Sequence, residues 1–127
     1  MKNAWVHAWR TMAAVATGCL LAVAVGCSDQ VVNNEVSPEG KGTLVLDNLT
    51  ADTVNVFVGG VQTSIVEAVS ESVVYLTPGL YRVVLDQENG ARNYRDDVDV
   101  LLGRQTILHI DYNLTNANLY SVTMEFN

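Results

Sequence analysis

The side chains of this chain that could do chemistry fall into three sets. The first is thiol: Cys19 and Cys27 are its two cysteines. Ala24, Val25 and Gly26 run directly into Cys27. The thiol behind these small residues is a nucleophile. The second set is acidic. Asp96, Asp97 and Asp99, with Asp86 and Glu88 close by, offer oxygen atoms of the kind that hold calcium. Together with His109 they could instead serve a small hydrolase. The third set is aromatic: Phe57, Tyr94 and Tyr112 are candidates for a ligand-stacking face, with Tyr75, Tyr81 and Tyr120 as further members.

Each set also has a plainer reading. The acidic residues lack the spacing of an EF-hand loop and of Gly-rich calcium repeats. Alternating Asp on a strand more commonly marks an edge whose charges block strand addition. His109 is the one histidine that follows Cys27, too few for a zinc site of the usual ligand count. No nucleophile elbow is present. We therefore expect no enzyme, no metal and no cofactor. Aromatic residues on strands are more often half-buried packing than a binding face. Asn48-Leu49-Thr50 and Asn113-Leu114-Thr115 match glycosylation sequons.

The elements around Cys27 give its chemistry a setting. Residues 1–10 carry Lys2 and Arg10 and no acid; residues 11–25 are uncharged and rich in Ala, Val and Leu. That apolar run has the length of a signal-peptide core and is short for a bilayer span. Ending at Ala24-Val25-Gly26-Cys27, it resembles the bacterial lipoprotein signal, or lipobox. The resemblance implies cleavage before Cys27 and a diacylglyceryl group on its thiol, with fatty acyl chains such as palmitate. Each buried methylene of such chains contributes about 0.8 kcal/mol to anchoring. Ser28 after the cysteine implies the outer membrane in an enteric-type cell. Two other readings stay open: Ala22-Val23-Ala24 is an acceptable ordinary signal-peptidase site that would release Cys27 free, and the run could remain as an uncleaved anchor. Ala16-Thr17-Gly18-Cys19 is a second, similar string, but cleavage there would leave an apolar stub.

Beyond Cys27 the expected organisation is a signal peptide over 1–26, a flexible tether over 27–42 and one domain over 43–127. The tether is polar, with Asn33, Asn34, Ser37, Pro38 and Gly40 and no apolar periodicity. From Thr43 the pattern changes to period two. Leu44 and Leu46 alternate with Val45 and Asp47; Val54, Val56 and Val58 alternate with Asn55 and Phe57. Val74 and Leu76, then Tyr81, Val83 and Leu85, then Val98 and Val100, then Leu108 and Ile110 repeat the pattern, as do Tyr120, Val122, Met124 and Phe126. Gly59-Gly60, Pro78-Gly79, Asn89-Gly90 and Gly103 punctuate them, with Asn89-Gly90 reading as a hairpin turn of the primed kind. About seven such half-buried strands predict an all-β fold, a small antiparallel β-sandwich. With no cysteine pair left after cleavage, its core alone must hold it, and roughly 85 residues suffice.

Residues 42–48 (GTLVLDN), 51–60 (ADTVNVFVGG) and 74–85 (VYLTPGLYRVVL) together resemble the PEGA-type surface domain and related small bacterial sandwiches. The closing segments 98–103 and 106–110 extend the resemblance to about Ile110. It implies a non-catalytic module at the bacterial surface and supplies no ligand site.

Charge narrows the partners. The chain holds 7 basic and 14 acidic residues. Losing Lys2 and Arg10 with the signal leaves nine more acids than bases, so nucleic acid is not an expected partner. The expected function is a lipid-anchored cell-envelope protein whose sandwich binds an envelope polymer or a protein partner. The alternative is a small envelope hydrolase or calcium-dependent domain built on Asp96, Asp97 and Asp99.

Overall fold

The computed structural model describes residues 36–127. The expected signal peptide, the lipidation site Cys27 and the tether up to Glu35 lie outside the described residues. Eight strands follow in order: β1 (Gly42–Asn48), β2 (Val54–Val58), β3 (Val61–Val66), β4 (Ser70–Leu76), β5 (Gly79–Gln87), β6 (Asn93–Val100), β7 (Gln105–Tyr112) and β8 (Tyr120–Phe126). They form two four-stranded sheets, β4-β1-β7-β8 and β3-β2-β5-β6. Every pairing is antiparallel except β1 with β7, which run parallel. The protein is thus a small β-sandwich, with eight strands where the alternation predicted about seven.

The additional strand is β3. Its sequence, VQTSIV, hides from a period-two reading for two reasons. It is the outer strand of its sheet and buries only Val66. It also carries a register shift opposite Val56 and Phe57, so its alternation slips by one at Thr63. Strand β1 departs from expectation in the opposite sense. It is central in its sheet and buried at all seven positions, including Asp47.

The core lies between the sheets, where the alternation placed it. Leu44, Leu46, Leu108 and Ile110 meet Val54, Val56, Val83, Leu85, Val98 and Val100. Each fully buried Val, Leu or Ile contributes about 1.5–3 kcal/mol relative to exposure. Gly59-Gly60 makes the tight β2–β3 connection, both glycines taking positive φ as a primed turn requires, with Val58 paired to Val61. The primed turn expected at Asn89-Gly90 does not form. Asn89 takes positive φ (57°) but Gly90 does not, and the strands are joined by a longer loop, 88–92.

The topology sorts the connections into two poles. Because β1, β3, β5 and β7 all run one way, the loops 49–53, 67–69, 88–92 and 113–119 gather at one end. The entry segment 36–41, the turns 59–60, 77–78 and 101–104, and the C-terminal Asn127 gather at the other. At the entry pole Ser37 Oγ and Thr43 Oγ1 are hydrogen-bonded at 2.6 Å. Gly103 N–H donates to the Lys41 carbonyl, and Gln105 and Asn127 exchange backbone hydrogen bonds.

Candidate functional site

Two side-chain clusters stand out; Tyr112 and Tyr120 of the aromatic set enter the first and His109 the second, each with partners that the sequence did not bring forward. The first closes the far pole, opposite the entry segment. Arg92, half-buried in the β5–β6 loop, directs Nη1 to Asp52 Oδ2 at 2.7 Å. Its guanidinium carbon lies 4.6 Å from the Tyr112 ring centroid and 5.7 Å from that of Tyr120. Tyr120 donates its hydroxyl to the same Asp52 oxygen at 3.2 Å. Burial, and then the negative charge of Asp52, raise the Tyr120 phenol well above its ordinary value, so it remains a donor. Arg92 Nε is buried with no hydrogen-bond partner among the described residues; the two ring faces are what it has instead.

Around this pair the loops are tied to one another. Tyr112 Oη accepts from the Ala51 backbone at 2.9 Å. Asn48, fully buried, donates through Nδ2 to the carbonyls of Asp52 and Glu67 and accepts from Thr50 through Oδ1. Val69 N–H donates to Thr50, and Asn93 N–H to Asn118. Four loops are therefore held as one platform. The same arrangement engages the Asn48 amide, closing that sequon.

The second cluster lies on the outer face of the β4-β1-β7-β8 sheet. His109 Nδ1 is 2.8 Å from Asp47 Oδ2, and Nε2 is 3.4 Å from Glu125 Oε2. Three strands contribute one group each. Partial burial pulls the imidazole pKa down, but the hydrogen bonds it donates to Asp47 and Glu125, with their charges, outweigh it and raise His109 above its ordinary value. Both ring nitrogens face carboxylates, which suits the doubly protonated imidazolium. A hydrolase triad needs a hydroxyl where Glu125 stands.

Of the sequence-derived sets, the two cysteines lie outside the described residues, and the acidic and aromatic sets are distributed through the fold. Asp97 pairs with exposed Arg82 on β5, whose Nη2 lies 2.8 Å from Asp97 Oδ2. The Arg82 hydrogen bond lowers the Asp97 pKa. Asp99 is opposite Leu80 on the same face, whereas Asp96 lies on the other face of β6 and accepts from the Asp97 backbone. Alternation on a strand thus separates the three acids. No group of three or more His, Cys, Asp or Glu placed to hold a metal occurs among the described residues. The aromatic candidates occupy three settings. Phe57 is half-buried on the outer face of the β3-β2-β5-β6 sheet, Tyr94 packs against the core, and Tyr112 is under Arg92 at the far pole. They do not form one face.

Fold and clusters define a class, a small two-sheet sandwich with knitted polar loops. No family model matches the chain, and no curated protein does. Among solved structures, the N-terminal domain of AlgF from P. aeruginosa is similar at 17% identity and a TM-score of 0.48, over 70% of this chain and 98% of that one.

Proposed function

We propose that this protein is a lipid-anchored cell-envelope protein whose β-sandwich is a non-catalytic binding or structural module. The observation that carries the proposal is the signal itself: a positive start, a fifteen-residue apolar run and Ala24-Val25-Gly26-Cys27. Thiol chemistry at Cys27 supplies the anchor, and the domain follows within a short polar link. Ser28 supports the outer membrane where the cell has one. The domain's own groups support binding rather than catalysis. Its polar clusters are internally paired, and its loops and edge strands are the kind of surface on which small sandwiches recognise polymers and proteins.

Cell fractionation of the full-length chain tests the anchor. The wild type should sediment with membranes. Cys27→Ser should leave them or accumulate as the uncleaved precursor. A Cys27→Ser protein that is processed and sediments as the wild type does would overturn the proposal.

A further inference from the structure

The two poles of the sandwich differ in a way the lipid-anchored reading makes meaningful. At the entry pole, apolar side chains project from separate turns. Val61 beside Gly59-Gly60 is 68% exposed, Leu80 after Pro78-Gly79 is 70% exposed, and Leu102 in the β6–β7 turn is 63% exposed. Val36, Leu101 and Phe126 are exposed at the same end. None belongs to the core, and large apolar groups exposed on three separate turns give this end an apolar character.

The far pole also shows exposed apolar residues, Leu114 and Val69 among them. The two ends differ in their share of cations. Near the far pole stand the acids Asp52, Glu67, Asp86, Glu88 and Asp111, and Arg92 is already engaged by Asp52. At the entry pole stand the cations Lys41, Arg104 and Arg82, the last paired with Asp97, together with the acids Glu39, Asp99 directly opposite Leu80, and Glu125 beside Phe126. In a chain this acidic, a pole where three cations stand among the acids beside projecting Leu and Val residues has groups that a lipid interface can use. Apolar tips enter the acyl boundary while Lys and Arg meet phosphate.

Chain length agrees. Cys27 precedes Val36 by nine residues, which span at most about 30 Å when fully extended. A lipid on Cys27 therefore confines this pole, and no other part of the fold so closely, to the neighbourhood of the bilayer. We propose that the entry pole of the sandwich, through Val61, Leu80 and Leu102 with Lys41 and Arg104, docks on the lipid surface. The loop platform of the far pole is thereby presented away from it. This rests on the anchored reading of Cys27.

The test uses the mature full-length lipoprotein in vesicles of phosphatidylethanolamine and phosphatidylglycerol. Val61→Cys, Leu102→Cys and Leu114→Cys each supply a single thiol for a solvatochromic label, since a lipidated Cys27 does not react. All three positions are exposed, and circular dichroism confirms that each variant folds. Labels at 61 and 102 should shift their emission to the blue on reconstitution and be quenched by brominated acyl chains. The label at 114 should do neither. Unshifted labels at 61 and 102 on a protein whose intact mass shows the lipid would overturn docking and leave the anchor standing, as would a shift at 114 alone. An intact mass without lipid would overturn the anchored reading, and this proposal with it.

Discussion

His109 on β7 and Asp47 on β1 face one another across the parallel β1–β7 strand pairing, Nδ1 to Oδ2 at 2.8 Å, with Glu125 of β8 on the imidazole's other side. The pKa of His109 is raised in the folded state above its ordinary 6.5. A raised histidine binds its proton more tightly when folded. Its contribution to stability is therefore complete below pH 6.5 and disappears as pH rises through the raised value. Urea unfolding of the wild type should show a midpoint that falls across this window. His109→Gln should flatten that fall while leaving the higher-pH midpoint nearly unchanged. An undiminished slope in His109→Gln would assign the pH dependence to other groups.

The far-pole clamp should cost more to break than any ion pair on the open surface. Arg92 and Asp52 are mostly buried, and Arg92→Ala leaves Asp52 with the Tyr120 hydroxyl but no countercharge. A loss of about 3 kcal/mol is expected on thermal or urea unfolding. Arg82→Ala, which breaks an exposed pair with Asp97, should leave the unfolding midpoint where it is.

Two backbone positions make opposite predictions. A Cβ added at Gly42 would meet the Leu101 carbonyl oxygen at 2.2 Å, and backbone cannot move aside as a flexible side chain can. Gly42→Ala should destabilise by about 1–3 kcal/mol and loosen the turn that carries Leu102. Val69, exposed in the β3–β4 turn, has φ of 51°, a conformation a β-branched residue adopts at a cost. Asn tolerates it, so Val69→Asn should stabilise by about 1 kcal/mol. Differential scanning calorimetry of both variants reads the two signs.

Core positions were legible because the fold's strongest force writes itself as alternation. Leu46, Val56, Leu85, Leu108 and Ile110 recur at every second residue and all face the space between the sheets. Val56→Asp and Leu108→Asp should each abolish cooperative unfolding by burying an unpaired charge. Near-ultraviolet circular dichroism would show a flat spectrum in both; a native spectrum in either would contradict the packing. Strand β3 was not legible, because an edge strand with a bulge buries too little to impose the pattern.

The clusters were less visible than the core, for a reason of distance along the chain. Asp47 and His109 are 62 positions apart, Asp52 and Arg92 are 40 apart, and Asp52 and Tyr120 are 68 apart. Only strand order brings them together, and strand order is not written in local periodicity. The acids that did attract notice, Asp96, Asp97 and Asp99, are adjacent in sequence. The pleat then sends them to opposite faces of β6.

A lipid on Cys27 underlies both the anchor and the orientation proposed for the sandwich. Intact-mass measurement of the protein isolated from its native membrane, with sequencing of its first residue, tests this most directly. The chain should begin at Cys27 and be heavier than the polypeptide by a diacylglyceryl group and its acyl chains. A chain beginning at Val25 with no added lipid mass would contradict it.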